Sequence, residues 1–352
     1  MKKQGGNFAM PGFIKFIKLA VRNGRVVDEG LPAKPSTESS KPATIEVASQ
    51  NGDSKISHIN VYERSDFLIG HSLGQGSFAV VYRGRQRSTA REVAMKVVKA
   101  QDQIEFDADG GCPDEAYRDV LDAMRIEAHI IAGIDGHPHI VPLLGVTPDY
   151  TVLFMERGLI DIYCLLKKQA VISLSLCRTW MKHLLTAIDH LHDLRIVHQD
   201  IKSSNVIIFP DKTAKLCDFG LARDVEERMP VDRELVTLWY RAPELLMGAE
   251  RYNELVDEWG AGCVALELLT GVAPFKGKPG NECTCPEVTH YNYNSDQLTK
   301  IFMVLGTPPP SDPSWGLACA CHFAPWRPQP RVLEKRIAES CEKRCRMAEA
   351  EE

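Results

Sequence analysis

The most informative part of this chain is the stretch Val197-His198-Gln199-Asp200-Ile201-Lys202-Ser203-Ser204-Asn205, with Asp218-Phe219-Gly220 shortly after it. Together the two stretches bring the carboxylates of Asp200 and Asp218, the amine of Lys202 and the amide of Asn205 into a short length of chain. A carboxylate can act as a general base, an amine carries a positive charge, and carboxylate and amide oxygens can bind a hard metal ion. These residue types at these spacings would seldom arise by chance.

A glycine-rich segment and a lysine precede this stretch. The segment reads Leu73-Gly74-Gln75-Gly76-Ser77-Phe78-Ala79-Val80-Val81-Tyr82, and the lysine ends Val93-Ala94-Met95-Lys96. Glycines allow backbone amides to approach phosphate oxygens closely. Alone, the segment is more typical of a plain β-turn than of a nucleotide site, so its meaning depends on the other motifs.

Taken together, these motifs resemble the protein kinases from about Asp66 to about Trp315. The stretch Thr237-Leu238-Trp239-Tyr240-Arg241-Ala242-Pro243-Glu244 is similar to the Ser/Thr kinases of the cyclin-dependent and MAP kinase group. The resemblance implies an α+β, bilobal protein kinase fold, with a β-rich N-lobe and a mostly helical C-lobe. The C-terminal lobe looks shortened.

The resemblance also implies a role for each matching residue. Asp200 would accept the substrate hydroxyl proton, Lys202 would neutralise the transferring phosphate, and Asn205 with Asp218 would hold Mg²⁺. The ATP-binding set would be Leu73, Gly74, Gly76, Ser77, Val81, Ala94, Lys96, Glu127, Met155, Glu156, Gly158, Asn205 and Asp218. The substrate loop would contain Thr237 and Arg241.

Glu127 is the expected partner of Lys96, although the spacing to the following His-Pro run has one extra residue. Glu115 and other acidic residues therefore remain alternatives. Met155 would stand at the gate to the adenine pocket, and Glu156 to Gly158 would offer backbone groups to adenine.

The function implied is an ATP- and Mg²⁺-dependent, proline-directed Ser/Thr protein kinase that acts on protein substrates with Ser/Thr-Pro sites. The alternative is a catalytically weak or inactive kinase-like interaction protein, favoured by two departures from the family pattern. Gln199 replaces the usual Arg, and the family's further helices are missing after Trp315. Ala79 replaces the third Gly of the glycine-rich pattern, which does not exclude ATP. A small-molecule phosphotransferase is disfavoured by the protein-substrate loop.

Charge and cysteine content narrow the partners. A net charge of -5 and a pI near 6.1 predict no binding to nucleic acid or to a membrane surface. Eleven cysteines, an odd number, favour reduced thiols in the cytoplasm or nucleus. A cyclin-like or other activating subunit remains open, because the insertion at residues 101–112 has no counterpart of the cyclin-binding Pro-Ser-Thr-Ala-Ile-Arg-Glu sequence.

The domain prediction has three parts. Residues 1–60 are rich in Gly, Ser, Pro and charge and are expected to be a disordered tail, residues 66–316 form the kinase domain, and residues 317–352 form an irregular or helical charged tail. Strands are predicted at Ala79–Tyr82 and Val93–Val98. Helices are predicted at Asp114–Ile131, Leu176–Leu191 and Asn253–Thr270.

Two consequences of the departures are expected. Apolar residues of the helix at Asn253–Thr270 would lack cover, and Glu244 would lose its usual Arg partner, for which Arg327 and Arg331 are the candidates. Gln199 would also remove one arginine that gathers an activation-loop phosphate in related kinases. Ile126 stands at the corresponding helix position and Asp232 at the loop position, which leaves Arg223 as the remaining basic residue.

Overall fold

The protein is described from a computed structural model. The structure describes residues 43–48, 56–104, 113–134, 136–169, 172–225, 237–247, 249, 252–278, 294–309 and 328–349. They form two compact units. The sheet unit contains the described residues up to 159 together with 209–220, and the helical unit contains residues 160–208 and those from 221 onward.

The sheet unit is built on seven strands in the order β1-β2-β6-β7-β5-β4-β3. Their bounds are β1 Ala43–Ala48, β2 Ile56–Val61, β3 Phe67–Gln75, β4 Ala79–Gln86, β5 Glu92–Val98, β6 Leu143–Val146 and β7 Val152–Glu156. Neighbouring strands are antiparallel except β2 and β6, which run parallel. The predicted strands at Ala79–Tyr82 and Val93–Val98 are confirmed as parts of β4 and β5.

One long helix, α1 at Pro113–Gly133, packs on this sheet. Its buried residues Val120, Met124 and Ala128 recur every four positions, the spacing that brings side chains to one helix face. A core cluster joins them to Val98 of β5 and Leu153 of β7. The prediction of a helix at Asp114–Ile131 is confirmed.

The prediction of a disordered tail at residues 1–60 is wrong for residues 43–48 and 56–60, which form β1 and most of β2. Amino-acid composition did not predict these strands, because their stability comes from pairing with each other and with β6 rather than from a strong local pattern. Residues 1–42, like 105–112 of the insertion, lie outside the part that the structure describes.

The helical unit carries short strands and the remaining helices. Their bounds are β8 Ile160–Asp161, α2 Ile162–Lys167, α3 Leu174–Asp193, β9 Ile196–Val197, β10 Val206–Ile208, β12 Arg223–Asp224, α4 Pro243–Leu246, α5 Leu255–Thr270, α6 Ser295–Leu305 and α7 Leu333–Glu349. Strand β11, at Ala214–Leu216, precedes β12 in the chain and lies in the sheet unit. Antiparallel pairs join β8 to β10 and β9 to β12.

Helix α3 shows how a helix of this unit begins and packs. The Ser173 hydroxyl accepts a hydrogen bond from the Leu176 amide and caps α3. Trp180, Leu184, Ile188 and other apolar residues on one face of α3 are then buried. The predicted helix at Leu176–Leu191 is confirmed within α3.

Helix α5 is buried on nearly every side, so the expectation that its apolar residues lack cover is wrong. Trp259 is 5% exposed and Val264 is fully buried. Helix α7, which follows the point where the resemblance ends, contacts α5 and supplies part of that cover. No helix among the described residues is both long and apolar enough to cross a membrane.

Candidate active site

The glycine-rich segment forms the turn between β3 and β4. The Gly76 amide donates a hydrogen bond to the Ala79 carbonyl at 2.9 Å, while Leu73 and Ser77 remain exposed. A Cβ atom at Gly74 would meet nothing within 4 Å, so open space surrounds this backbone. Ala79 is 8% exposed and pairs with Val98, so its methyl group lies inside the sheet unit rather than on the open surface of the turn.

The sheet register aligns this segment with the lysine. Val81 lies opposite Gly74 on one side and opposite Lys96 on the other. Two residues along, Ala94 lies opposite Met155, which is almost fully buried at the end of β7. Glu156 donates its backbone amide to the Pro142 carbonyl and pairs its carboxylate with Lys215. Gly158 follows as a half-buried residue in the connecting segment.

Three charged side chains of the sheet unit meet at Lys96. Its Nζ lies 2.7 and 2.8 Å from the two Glu127 carboxylate oxygens and 2.8 Å from Asp218 Oδ1. Glu127, on α1, is 2% exposed, whereas Glu115, the alternative partner, lies exposed in the first turn of α1. The structure therefore pairs Lys96 with Glu127.

The two carboxylates keep Lys96 charged. Burial alone would lower the pKa of Lys96, but attraction to Glu127 and Asp218 outweighs burial and raises this pKa. Burial also pushes the pKa of Glu127 upward, and Lys96 opposes that push. The nitrogen–oxygen distances between Lys96 and Glu127 are those of a charge-assisted hydrogen bond.

A second set of polar side chains lies in the helical unit around Asp200. Lys202 Nζ donates to Asp200 Oδ2 at 2.6 Å and to the Thr237 hydroxyl at 3.1 Å. Asn205 Nδ2 donates to the Asp200 carbonyl at 2.8 Å and to Asp200 Oδ2 at 3.1 Å. The buried Asp200 Oδ1 has no hydrogen-bond partner within the described part of the chain.

Asp257 of α5 binds the backbone that immediately precedes Asp200. This fully buried carboxylate accepts hydrogen bonds from the amides of His198 and Gln199, both at 2.8 Å, and lies 3.0 Å from His192 Nε2. Burial alone would lower the pKa of His192, but Asp257 outweighs it and raises this pKa. Sequence reasoning did not assign Asp257 a role, although its place in Asp257-Glu258-Trp259-Gly260 was a usable signal.

Two further sequence-predicted residues are buried. Arg241 is 4% exposed, so its side chain lies inside the helical unit. Glu244 is 7% exposed, and its Oε2 has no hydrogen-bond partner in the described ranges. Of its two candidate partners, Arg331 donates instead to Glu334 at 2.9 Å, and Arg327 lies outside the described residues.

Comparison with known proteins agrees with this geometry. A family model described as the protein kinase domain matches residues 67–318, well over half of the chain. The chain is also 34% identical over 258 residues to the cell division control protein 2 homolog 3 of Trypanosoma brucei brucei, covering 72% of each protein. This chain belongs to the protein kinase family.

Other relatives of this kinase are named as cyclin-dependent or CTD kinases. It is 33% identical over 248 residues to the CTD kinase subunit alpha of Saccharomyces cerevisiae, and 32% identical over 262 residues to cyclin-dependent kinase 14 of Callithrix jacchus. These matches cover 69% and 72% of the chain but only 42% and 54% of those relatives. The chain thus spans about half the length of these two relatives.

A solved structure resembles the kinase as well. The crystal structure of the yeast RNA Pol II CTD kinase CTDK-1 complex aligns with a TM-score of 0.59 at 26% identity, covering 80% of this chain and 83% of that one. The α+β protein kinase fold is confirmed. As a family, protein kinases bind ATP together with a divalent cation.

Asn205 of the helical unit and Asp218 of the sheet unit each carry an oxygen atom of the kind that hard divalent cations prefer. Asn205 Nδ2 donates to the Asp200 carbonyl, which leaves the amide oxygen as the atom that could ligate, and 42% of the Asp218 side chain is exposed. Among the described residues, no group of three or more His, Cys, Asp or Glu side chains is placed to hold a metal ion.

Proposed function

We propose that this chain is an active Ser/Thr protein kinase that transfers the γ-phosphoryl group of ATP to protein hydroxyls. The observation that carries the proposal is the Asp200 set, in which Lys202 and Asn205 both donate to one Asp200 carboxylate oxygen and Lys202 also donates to the Thr237 hydroxyl. A general base must offer an acceptor atom to the hydroxyl it deprotonates, and the absence of a hydrogen-bond partner for Asp200 Oδ1 among the described residues supports this role.

Each residue then has a role in the transfer. The substrate hydroxyl oxygen forms a bond to the γ-phosphorus, the bond to the bridging oxygen of ADP breaks, and the hydroxyl proton passes to Asp200. Lys202 stabilises negative charge on the transferring group, and Lys96 holds the α- and β-phosphates. Mg²⁺, held by Asn205 and Asp218, would neutralise charge on the phosphates.

The backbone of the glycine-rich turn and the β7 end complete the nucleotide site in this proposal. Gly74 and Gly76 would cover the phosphates, with Leu73, Ser77 and Val81 beside them. Ala94 and Met155 would contact the adenine ring, and backbone groups from Glu156 to Gly158 would bind its edge. Their positions in β3, β4, β5 and β7 and in the segment after β7 support this assignment.

The purified chain should phosphorylate a Ser-Pro peptide when ATP and Mg²⁺ are supplied, and Asp200→Asn should lower kcat by about 100- to 10,000-fold, since general-base catalysis contributes that much. Asp211→Asn, in an exposed turn, is the matched control and should keep wild-type turnover. Equal rates for Asp200→Asn and wild type would remove this mechanism.

The inactive alternative rests on Gln199, which stands where related kinases carry Arg. It is distinguished by the same assay combined with nucleotide binding. A chain that binds ATP with Mg²⁺ but transfers no phosphate to any protein, at rates indistinguishable from Asp200→Asn, would be an interaction protein. The Lys96, Asp200, Asn205 and Asp218 set favours the active enzyme.

We also propose a preference for Ser or Thr followed by Pro, which the similarity around Thr237 to the cyclin-dependent group supports. The loop segment Glu234 to Val236 lies outside the described residues. An oriented peptide library should show enrichment of proline directly after the phosphorylated residue. Equal incorporation with Ala at that position would contradict the preference while leaving kinase activity itself untouched.

Partners and location follow from the same proposal. Protein substrates are required, and an activating cyclin-like subunit is a further component that the relatives suggest, although one chain already forms the Lys96–Glu127 pair. The cytoplasm or nucleus is the proposed location. To test whether the Lys96–Glu127 pair needs another subunit, kcat is measured before and after a candidate subunit is added to the purified chain.

A further inference from the structure

The edge of the sheet beside β6 is extended by a hairpin that precedes the kinase motifs. Strands β1 and β2 pair antiparallel from Ala43 opposite Val61 to Ala48 opposite Ile56. Strand β2 then joins β6 in parallel. Asn60 Nδ2 donates to the Leu144 carbonyl at 3.0 Å, and the Tyr62 amide donates to the Val146 carbonyl at 2.9 Å.

This hairpin and helix α1 share one apolar core. Ile59 of β2 is 2% exposed and belongs to the cluster that contains Val120, Met124 and Ala128 of α1. Ile45, directly opposite Ile59, packs against the same cluster. Burying such side chains between two elements resists their separation, because apolar surface would return to water.

Strand β6 is shaped to receive the hairpin. A Cβ atom at Gly145 would lie 2.6 Å from the Asn60 carbonyl oxygen and 2.6 Å from the Tyr62 ring. No side chain fits there while β2 stays in place. The sequence of β6 thus carries an independent sign that this docking is native.

Helix α1 also carries Glu127, which lies in the chain between Met124 and Ala128, the two residues that face the shared core. In protein kinases the Lys–Glu pair must be in place for transfer, and the position of this helix controls it. Contacts that fix Met124 and Ala128 therefore fix the carboxylate that holds Lys96.

We propose that the β1–β2 hairpin is a built-in positioning element that holds α1 so that Glu127 reaches Lys96. The inference rests on the proposed kinase function and names the residues that regulate its site. Ile45 and Ile59 are positioning residues because they pack against α1, and Gly145 is one because it lets β2 dock beside β6.

The test compares Ile45→Asp with Thr44→Asp in the full chain. Thr44 is exposed and neighbours Ile45 on β1, where successive side chains point to opposite faces. Ile45→Asp should speed amide exchange in α1 by at least about tenfold, raise the KM for ATP and lower kcat, since local opening of α1 becomes easier. Thr44→Asp should change none of these. Gly145→Val provides a second route to the same opening if Ile45→Asp fails to fold.

A double-mutant comparison separates positioning from general stability. Glu127→Gln should lower kcat/KM by about tenfold or more in the wild type, but by much less in the Ile45→Asp chain, where α1 is already displaced. An undiminished Glu127→Gln effect, or unchanged α1 exchange in both Ile45→Asp and Gly145→Val, would overturn the inference.

Failure of the proposed function gives a different result. If the wild type transfers no phosphate, the kinase proposal fails, while amide exchange in α1 still decides whether the hairpin holds the helix. If the wild type is active and the hairpin variants match it in exchange and kinetics, the kinase proposal stands and only the hairpin inference falls.

Discussion

Two residues that carry the chemistry or adjoin it have backbone angles that most side chains avoid. Gln199 has a φ of 67° and Asp218 a φ of 66°. Non-glycine residues in this left-handed region are strained and persist where the surrounding contacts hold them. Asp257 accepts a hydrogen bond from the Gln199 amide, and Lys96 donates one to the Asp218 carboxylate. Rigid placement of Asp200 and Asp218 follows from these contacts.

Glu244 gives a prediction about pH at the same scale. Burial raises the pKa of Glu244 to about 7, well above its ordinary value. The folded chain then holds this proton more tightly than the unfolded chain, so stability is highest at low pH and falls as pH rises through the unfolded pKa toward about 7. Glu244→Gln should therefore be more stable than wild type at pH 8, by on the order of 1–3 kcal/mol, because each pKa unit corresponds to about 1.4 kcal/mol.

Urea unfolding of both proteins at pH 5 and pH 8 measures this difference. The advantage of Glu244→Gln should shrink at pH 5, where the wild-type carboxyl is protonated. Glu339→Gln, an exposed change on α7, is the control and should leave the pH dependence as it is. A wild type more stable than Glu244→Gln at pH 8 would show that a cation outside the described residues pairs with Glu244.

Among the helices, α7 packs against α5 and α6 where the sequence resemblance to the family had ended. The Val332 amide donates to the Val304 carbonyl at 3.0 Å, and Leu333, the first residue of α7, is 1% exposed. These contacts tie the start of α7 to α6, and α7 also contacts α5. The buried state of α5 follows from such contacts, which composition alone did not reveal.

Leu333→Ala should destabilise the chain by about 2–5 kcal/mol, because it leaves a cavity where a buried leucine packed. Lys335→Ala is the matched control on the same helix, since 77% of the Lys335 side chain is exposed. Equilibrium unfolding in urea gives both values. A loss below about 0.5 kcal/mol for Leu333→Ala would mean that α7 does not support α5.

The need for activation-loop phosphorylation depends on residues from several parts of the molecule. Gln199 accepts a long hydrogen bond of 3.4 Å from the Tyr252 hydroxyl, a neutral partner at the position where related kinases place an arginine. Ile126 is 40% exposed on α1 and carries no charge. Arg223 therefore remains as the basic residue identified from the sequence, and its Nη1 donates to the Ala222 carbonyl at 2.6 Å.

Phosphatase treatment should leave the transfer rate within about twofold of the untreated kinase. A phosphate adds roughly two negative charges and orders a loop only where several arginines gather around it, which the positions of Gln199 and Ile126 do not offer. A phosphorylated control kinase treated in parallel shows that the phosphatase acts. A large loss of rate in this chain would mean that the loop needs phosphate despite Gln199.

The Asp200 and Asp218 motifs and the helix α3 could be predicted from the sequence, because each depends on residues close together along the chain, and the resemblance of those motifs to the protein kinases implied the fold. Other features emerged only in three dimensions. Lys96 pairs with Glu127 rather than Glu115, β1 and β2 lie at the sheet edge, α5 is buried, and Glu244 Oε2 has no hydrogen-bond partner among the described residues. These features depend on contacts between residues far apart in the chain, such as Asn60 with Leu144, whose free energy no local pattern records.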